Sequence, residues 1–353
     1  MGKKYRVLSL GASYGSLLAT KLALGGHDTH LICLPAEAEL MNSEGAIVRL
    51  PVRGREGLVE INSKTLPGRI TAGGPAEADP AQFDLVVLAM QEPQYRSPGV
   101  RELLDKVAKS RVPCMSIMNM PPLPFLKRIG SIDASAIRGC YTDASVWDSF
   151  DPRTITLCSP DPQAFRPPEE KVNVLQVRLP TNFKSARFEG EADTNMLRQM
   201  EADVEAARFE GLELPVKLKV HESVFVPLAK WAMLCAGNYR CVQADGMRPI
   251  KEAVHADPAA SRAVYDWVVD LCVGLGADRG EMVPFEKYAN AALSLLSPSS
   301  AARALAAGAP NIERVDRLVQ TIAASRGQKL AELDRTVALV DGWLARNRAK
   351  AAA

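Results

Sequence analysis

The sequence predicts an α/β protein: an N-terminal doubly wound parallel sheet followed by an all-helical C-terminal domain. Three observations predict it. The chain opens with an apolar run, a glycine turn and a helix; strand-like apolar runs then alternate with helical stretches; and beyond residue 213 the pattern is helical to the end. Alternation of this kind builds a parallel sheet covered by helices, because each crossover must carry the chain back over the sheet.

Arg6–Leu10 reads as the first strand, followed at once by Gly11-Ala12-Ser13-Tyr14-Gly15-Ser16. Leu17–Leu24 continues as a helix closed by Gly25-Gly26, and His30–Leu34 reads as the second strand. Strand, glycine turn, helix and strand in that order make a Rossmann-type opening. Glycines there let backbone approach a pyrophosphate, and the helix N-terminus offers N–H groups and partial positive charge. The GxGxxG fingerprint would need glycine at positions 13 and 16, where this chain has Ser13 and Ser16. The turn reads as one residue short, with Gly11 and Gly15 as its paired glycines. Gly11, Ser13, Tyr14, Gly15 and Ser16 are therefore the candidate cofactor-binding residues; the alternative is a tight turn with no ligand.

The end of the second strand usually chooses the cofactor: an acid there binds the ribose 2′-hydroxyl of NAD, an arginine the 2′-phosphate of NADP. Here it reads Cys33-Leu34-Pro35-Ala36-Glu37, with neither signal at the tip. Glu37 reads as facing water on the next helix, and Arg49 or Arg53 is a candidate cation from a later loop. Ala46–Leu50 and Gly57–Ile61 alternate like a hairpin. Phe83–Met90 and Pro113–Met118 read as buried strands flanking the helix Arg101–Ser110. Ligands gather at strand carboxyl ends in such sheets, which singles out Gly11, Gln91 and Asn119. Ile155–Leu157 and Val172–Val174 read as strands, Asn195–Phe209 as a helix and Leu212–Val216 as a connector. The domain boundary is placed there: 1–213 for the dinucleotide-binding domain, 214–353 for a helical substrate and dimerisation domain.

In the second domain, Leu228–Ala236 is apolar except for Lys230. A lysine in such a run either snorkels to the surface or sits in a cleft, where desolvation would suit it to proton transfer. Asn238 follows two turns later, as a helix-end residue or a polar contact for a ligand. Ser299-Ser300 precedes a helix at Ala301–Ala307 and reads first as N-capping. Glu313 reads first as a carboxylate serving the next helix dipole.

Composition narrows the function. Lys+Arg of 43 against Asp+Glu of 41 leaves +2, which calls for neither nucleic acid nor an anionic membrane. No apolar run reaches the length of a membrane span, and the basic start runs into a strand rather than a signal sequence. Seven scattered cysteines without a CxxC pair suit free thiols in a reducing cytoplasm. Four histidines without HExxH argue against a metal enzyme.

The glycine turn, Asn119 after its strand, the Lys230/Asn238 helix and the serine-to-glutamate segment at 299–313, in this order, resemble the ketopantoate reductase (2-dehydropantoate 2-reductase) family, as a divergent member. The resemblance spans nearly the whole chain. It implies NADP or NAD as cofactor, a small-molecule substrate and a homodimer. It implies Lys230 as the general acid that protonates the ketone oxygen while hydride reaches the carbon. Asn119 would help place nicotinamide and substrate; Asn238, Ser299, Ser300 and Glu313 would contact substrate. The family's Arg at the second strand end falls on Leu34, its Lys after the third strand on Gln91, its Asn one turn beyond the Lys on Leu234, and its Arg in the last motif on Ala309. Leu234 and Trp231 then suggest an apolar site suited to a bulkier or less hydroxylated carbonyl. Two other readings stay open: an opine- or imine-type dehydrogenase, using His221 or His255 as base, and a non-catalytic dinucleotide-binding sensor.

Overall fold

The structure is a computed structural model that describes residues 2–352. It divides into two compact units: Met1–Met90, Gln94–Phe125 and Ser145–Val224 form the first; Gln91–Pro93, Leu126–Ala144 and Phe225–Ala353 form the second.

The strands of the first unit, in chain order, are β1 (Arg6–Leu10), β2 (Asp28–Ile32), β3 (Ile47–Pro51), β4 (Leu58–Asn62), β5 (Ile70–Gly73) and β6 (Leu85–Leu88). They continue with β7 (Cys114–Ile117), β8 (Ile155–Ser159), β9 (Gln163–Phe165), β10 (Val174–Leu179), β11 (Phe183–Ala186) and β12 (Leu218–His221). Its helices include α1 (Tyr14–Leu24), α2 (Pro35–Ser43) and α3 (Val100–Ser110). A short α4 (Leu123–Leu126), whose last residue groups with the second unit, and a long α5 (Glu191–Ala206) follow. The main sheet has the order β12-β11-β8-β7-β6-β1-β2-β5. Every neighbouring pair in it is parallel except β11 with β8. β6 reads Leu-Val-Val-Leu with all four side chains buried, the composition of a strand covered on both faces. β1 lies between β2 and β6, so the order reverses there and the carboxyl ends of β1 and β6 come side by side. That switch point is where such sheets bind ligands. The expected hairpin forms, β3 antiparallel to β4, but it joins β10 and β9 in a separate four-stranded sheet.

Several boundaries move. The second strand begins at Asp28 and ends at Ile32; Leu34 is already the residue before α2 and is exposed. The helix expected at 195–209 is α5, four residues earlier at its start. The domain boundary expected at 213 falls after 224, because β12 pairs in parallel with β11, Phe183 opposite Leu218 through Ala186 opposite His221. An edge strand of mixed polarity, Leu-Lys-Val-His, carries no clear alternation, so the connector before it reads like a domain end. Residues 91–93 and 126–144 also leave the first unit for the second.

The second unit is helical, and beyond β12 no strand occurs among the described residues. It comprises α6 (Lys230–Met233), α7 (Ile250–His255), α8 (Pro258–Leu275), α9 (Phe285–Ala292), α10 (Ser300–Ala306), α11 (Val315–Ser325) and α12 (Ala331–Ala352). At the head of α11, Arg314 joins the fully buried Asp316 (2.9 Å) to Asp341 of α12 (2.6 Å). No described helix is long and apolar enough to cross a membrane.

Candidate functional site

In the first unit the candidate site is a turn made of backbone. Gly11 has φ +106°, and a Cβ there would lie 2.6 Å from the Ala89 carbonyl oxygen at the end of β6. A Cβ on Gly15 would lie 2.6 Å from Ser9 Oγ. Only glycine at both places lets the turn close against the sheet while α1 begins directly above it. Gly11 N–H donates to the Ile32 carbonyl (2.9 Å), pinning the turn to β2. Ser16 is buried and its hydroxyl donates to the Ala12 carbonyl, so it shapes the turn from inside. Ser13 is exposed and precedes α1 without capping it by its side chain; Tyr14 is half-buried. A turn with glycine at both of these places, at a helix N-terminus, fits a dinucleotide pyrophosphate. Asn119 is half-buried, two residues beyond β7. Gln91 is exposed and groups with the second unit.

Two expectations about the second strand end are corrected. Glu37 does not face outward. Pro35 opens α2 and Glu37 is its third residue, so its carboxylate folds back: Oε2 accepts from Leu34 N (3.1 Å) and Oε1 pairs with Arg166 (3.0 Å). Arg49 is no spare cation either, since it pairs with Glu60 (2.7 Å) and Glu170 (2.6 Å) in the smaller sheet. Arg53 is an exposed residue of the turn after β3. The cation at the glycine turn is Arg166, just after β9, whose Nη2 donates to the Ala12 carbonyl at 2.9 Å. Cys33 sits beside this pair: burial and the Glu37 charge push its thiol up to about 11, against the opposing effect of Arg166.

In the second unit, Lys230 is half-buried and opens α6. The helix then widens into a π turn at Leu234–Asn238 before tightening at Tyr239–Cys241. In a straight α-helix eight residues overshoot two turns by about 80°. The wide turn takes up part of that overshoot and brings Asn238 toward the Lys230 side. Such bulges occur often at functional sites. Ser299 is buried: its hydroxyl donates to the Asn238 carbonyl (2.7 Å) and accepts from Ala302 N (3.2 Å). It therefore caps α10 and holds the end of the broken helix. Ser300 is exposed on α10.

Glu313 is buried, with Oε1 accepting from Glu92 N at 3.4 Å. Glu92, absent from the sequence reading, is itself buried and accepts from Thr142 N (3.0 Å) and Thr142 Oγ1 (2.8 Å). Tyr239 Oη donates to the Glu313 carbonyl (2.6 Å) and accepts from Val315 N (3.0 Å), tying this network to the π-turn helix. Trp231 and Leu234, expected to shape an apolar substrate site, are 1% and 3% exposed and belong to the core. His255 Nε2 lies 2.9 Å from the Ala289 carbonyl, which gives it a structural partner; His221 lies on β12, in the first unit. A cavity of 440 Å³ in this unit is lined by Cys140, Thr142, Arg314, Arg317, Asp341 and Arg348 among others, but by neither Lys230 nor Asn238.

No protein-family model and no curated protein sequence matches the chain. Solved structures do. A 2-dehydropantoate 2-reductase from Methylococcus capsulatus superposes with a TM-score of 0.66 at 13% identity, covering 97% of each chain. A ketopantoate reductase from Ralstonia eutropha JMP134 gives 0.62 at 14%, covering 97% of this chain and 99% of that one. D-mandelate dehydrogenase in a ternary structure with NADH and anilino(oxo)acetate gives 0.62 at 12%, with the same coverage. The chain has the ketopantoate reductase fold. The match spans at least 97% of both chains in each of these comparisons, and this chain has the N-terminal Rossmann-type unit followed by a helical one that the sequence predicts.

Proposed function

We propose that the protein is a nicotinamide-dependent reductase or dehydrogenase acting on a 2-oxo acid or a related carbonyl or hydroxy compound. The observation that carries this reading is the turn at Gly11 and Gly15, whose Cβ positions are closed by Ala89 O and Ser9 Oγ at the switch point of the sheet. Gly11, Ser13, Tyr14 and Gly15 would line the pyrophosphate, with Ser16 holding the turn's shape. Asn119 and Gln91 would serve the nicotinamide side. A bound nicotinamide dinucleotide supplies or takes up the hydride. Lys230 donates its proton to the carbonyl oxygen as negative charge builds there, and takes it back in the oxidative direction. Asn238 orients the substrate, with Ser300 and Glu313 as further substrate contacts and Ser299 supporting Asn238 from beneath.

The reading is supported by neighbours described as ketopantoate reductases and as a D-mandelate dehydrogenase bound to NADH. A neighbour from Staphylococcus aureus is described as a dimeric ketopantoate reductase, and we propose a homodimer here too. The test is a panel of 2-oxo acids, from short aliphatic to aryl, incubated with the protein and reduced cofactor. Substrate-dependent loss of reduced nicotinamide absorbance is the expected result. Tight cofactor binding with no turnover on any member or its hydroxy counterpart would favour the sensor reading.

A further inference from the structure

The ion pair between Glu37 and Arg166 lies where a Rossmann-type unit meets the adenosine ribose. We propose that it makes this unit select the unphosphorylated dinucleotide, NAD(H), over NADP(H), with Glu37 accepting the ribose hydroxyls and Arg166 as the positioning residue. The inference rests on the nicotinamide reading above and goes beyond it.

Three observations carry it. First, a carboxylate is present at the β2 tip after all. The backbone ends β2 at Ile32, and Pro35 starts α2 so early that the third helical residue can reach back to Leu34 N. The Glu37 carboxylate is thereby brought to the position from which an acid accepts a ribose 2′-hydroxyl. Its side chain is 19% exposed, so it is held but not sealed.

Second, the charge at this spot is balanced. One Arg166 nitrogen, Nη2, reaches both Glu37 Oε1 (3.0 Å) and the Ala12 carbonyl (2.9 Å). A 2′-phosphate would bring close to two negative charges against the Glu37 carboxylate, whose Arg166 partner already shares Nη2 between it and the Ala12 carbonyl. Pulling Arg166 onto the phosphate would strand Glu37 and release the Ala12 carbonyl. A ribose hydroxyl asks for none of this, since it donates to a carboxylate that remains paired.

Third, three of the other places that could supply a cation do not. Leu34 at the tip is neutral, Gln91 stands where the resemblance implies a lysine, and Arg49 is committed to Glu60 and Glu170. Arg166 reaches the turn from 154 residues away in sequence, through the edge strand of the smaller sheet. That sheet thus acquires a role: it delivers the residue that fixes Glu37.

The experiment is a binding titration of the full chain, with no turnover needed. NADH and NADPH are titrated by nicotinamide fluorescence, and ADP-ribose and its 2′-phosphate by calorimetry. The wild-type protein should bind the unphosphorylated member of each pair at least about tenfold tighter. Glu37→Gln should weaken NADH and tighten NADPH, closing that ratio. Arg166→Ala should weaken NADH, and Arg166→Lys should recover part of the loss at unchanged Tm, which a purely structural role would not produce. Equal or tighter binding of NADPH by the wild type overturns the inference while leaving the nicotinamide reading intact. Binding of none of the four ligands overturns both. The wild-type ratio decides the matter even if a variant fails to fold.

Discussion

The two units hold their candidate groups by opposite means. In the first, a turn of bare backbone is held by contact, with Ala89 O under Gly11 and Ser9 Oγ under Gly15. In the second, Lys230 and Asn238 ride on a helix of changing pitch held by buried polar groups: Ser299 on the Asn238 carbonyl, Tyr239 between Glu313 and Val315, and Arg314 between two aspartates. A frame held by contact fails when something is added to it. A frame held by buried polar pairs fails when one partner is taken away and the other is left desolvated and unpaired.

The largest effect should come from the polar frame. Asp316→Ala leaves Arg314 buried without its main partner and should cost about 3–5 kcal/mol by urea denaturation. The exposed pair Lys171–Glu44 serves as the control; Lys171→Ala should cost no more than about 1 kcal/mol. Equal costs for the two would break the comparison. Next comes the contact frame. Gly11→Ala should cost about 1–3 kcal/mol, from crowding against Ala89 O and from the positive φ, and should abolish dinucleotide binding. Undiminished binding by this variant would mean that the turn has room the structure does not show. Tyr239→Phe removes one hydroxyl that serves two backbone groups and should cost about 1–3 kcal/mol with little effect on cofactor affinity.

The subtlest prediction concerns Lys21, buried in the last turn of α1 with Nζ donating to the carbonyls of Pro215 (3.0 Å) and Leu214 (3.4 Å). Burial, with Lys217 adding to it, lowers its pKa from 10.5 to about 7. Between those values the folded lysine is neutral and the unfolded one charged, so unfolding takes up a proton. Stability therefore rises with pH from about 7 toward 10 and declines as pH falls toward 7. In Lys21→Met that slope should flatten, which denaturation midpoints across the range would report. An unchanged slope would mean that Lys21 keeps its charge in the folded state.

The same contrast explains what could be read from the sequence. The glycine turn is local: strand, turn and helix are consecutive, so Gly11 and Gly15 could be paired from spacing alone. The Lys230–Asn238 stretch could be read for the same reason, although nothing in Leu-Cys-Ala-Gly-Asn announces a π turn. Glu37 was within reach, because proline at the first helical position and glutamate at the third is a capping signature. Leu34 in place of the usual hydroxyl residue hid it. Arg166 could not be found, since its partner Ala12 is 154 positions away and the strand that delivers it belongs to another sheet. Glu92 and Thr142 likewise meet across 50 positions. Trp231 and Leu234 misled because an apolar face beside a lysine reads alike for core and for ligand site.

The measurement that tests the account most directly pairs turnover with binding in Lys230→Ala. On whichever 2-oxo acid the wild type reduces, the variant should lose at least about 100-fold in kcat, while its cofactor Kd stays within about twofold of wild type. Turnover within a few-fold of wild type would contradict Lys230 as the proton donor and, with it, the mechanism proposed here.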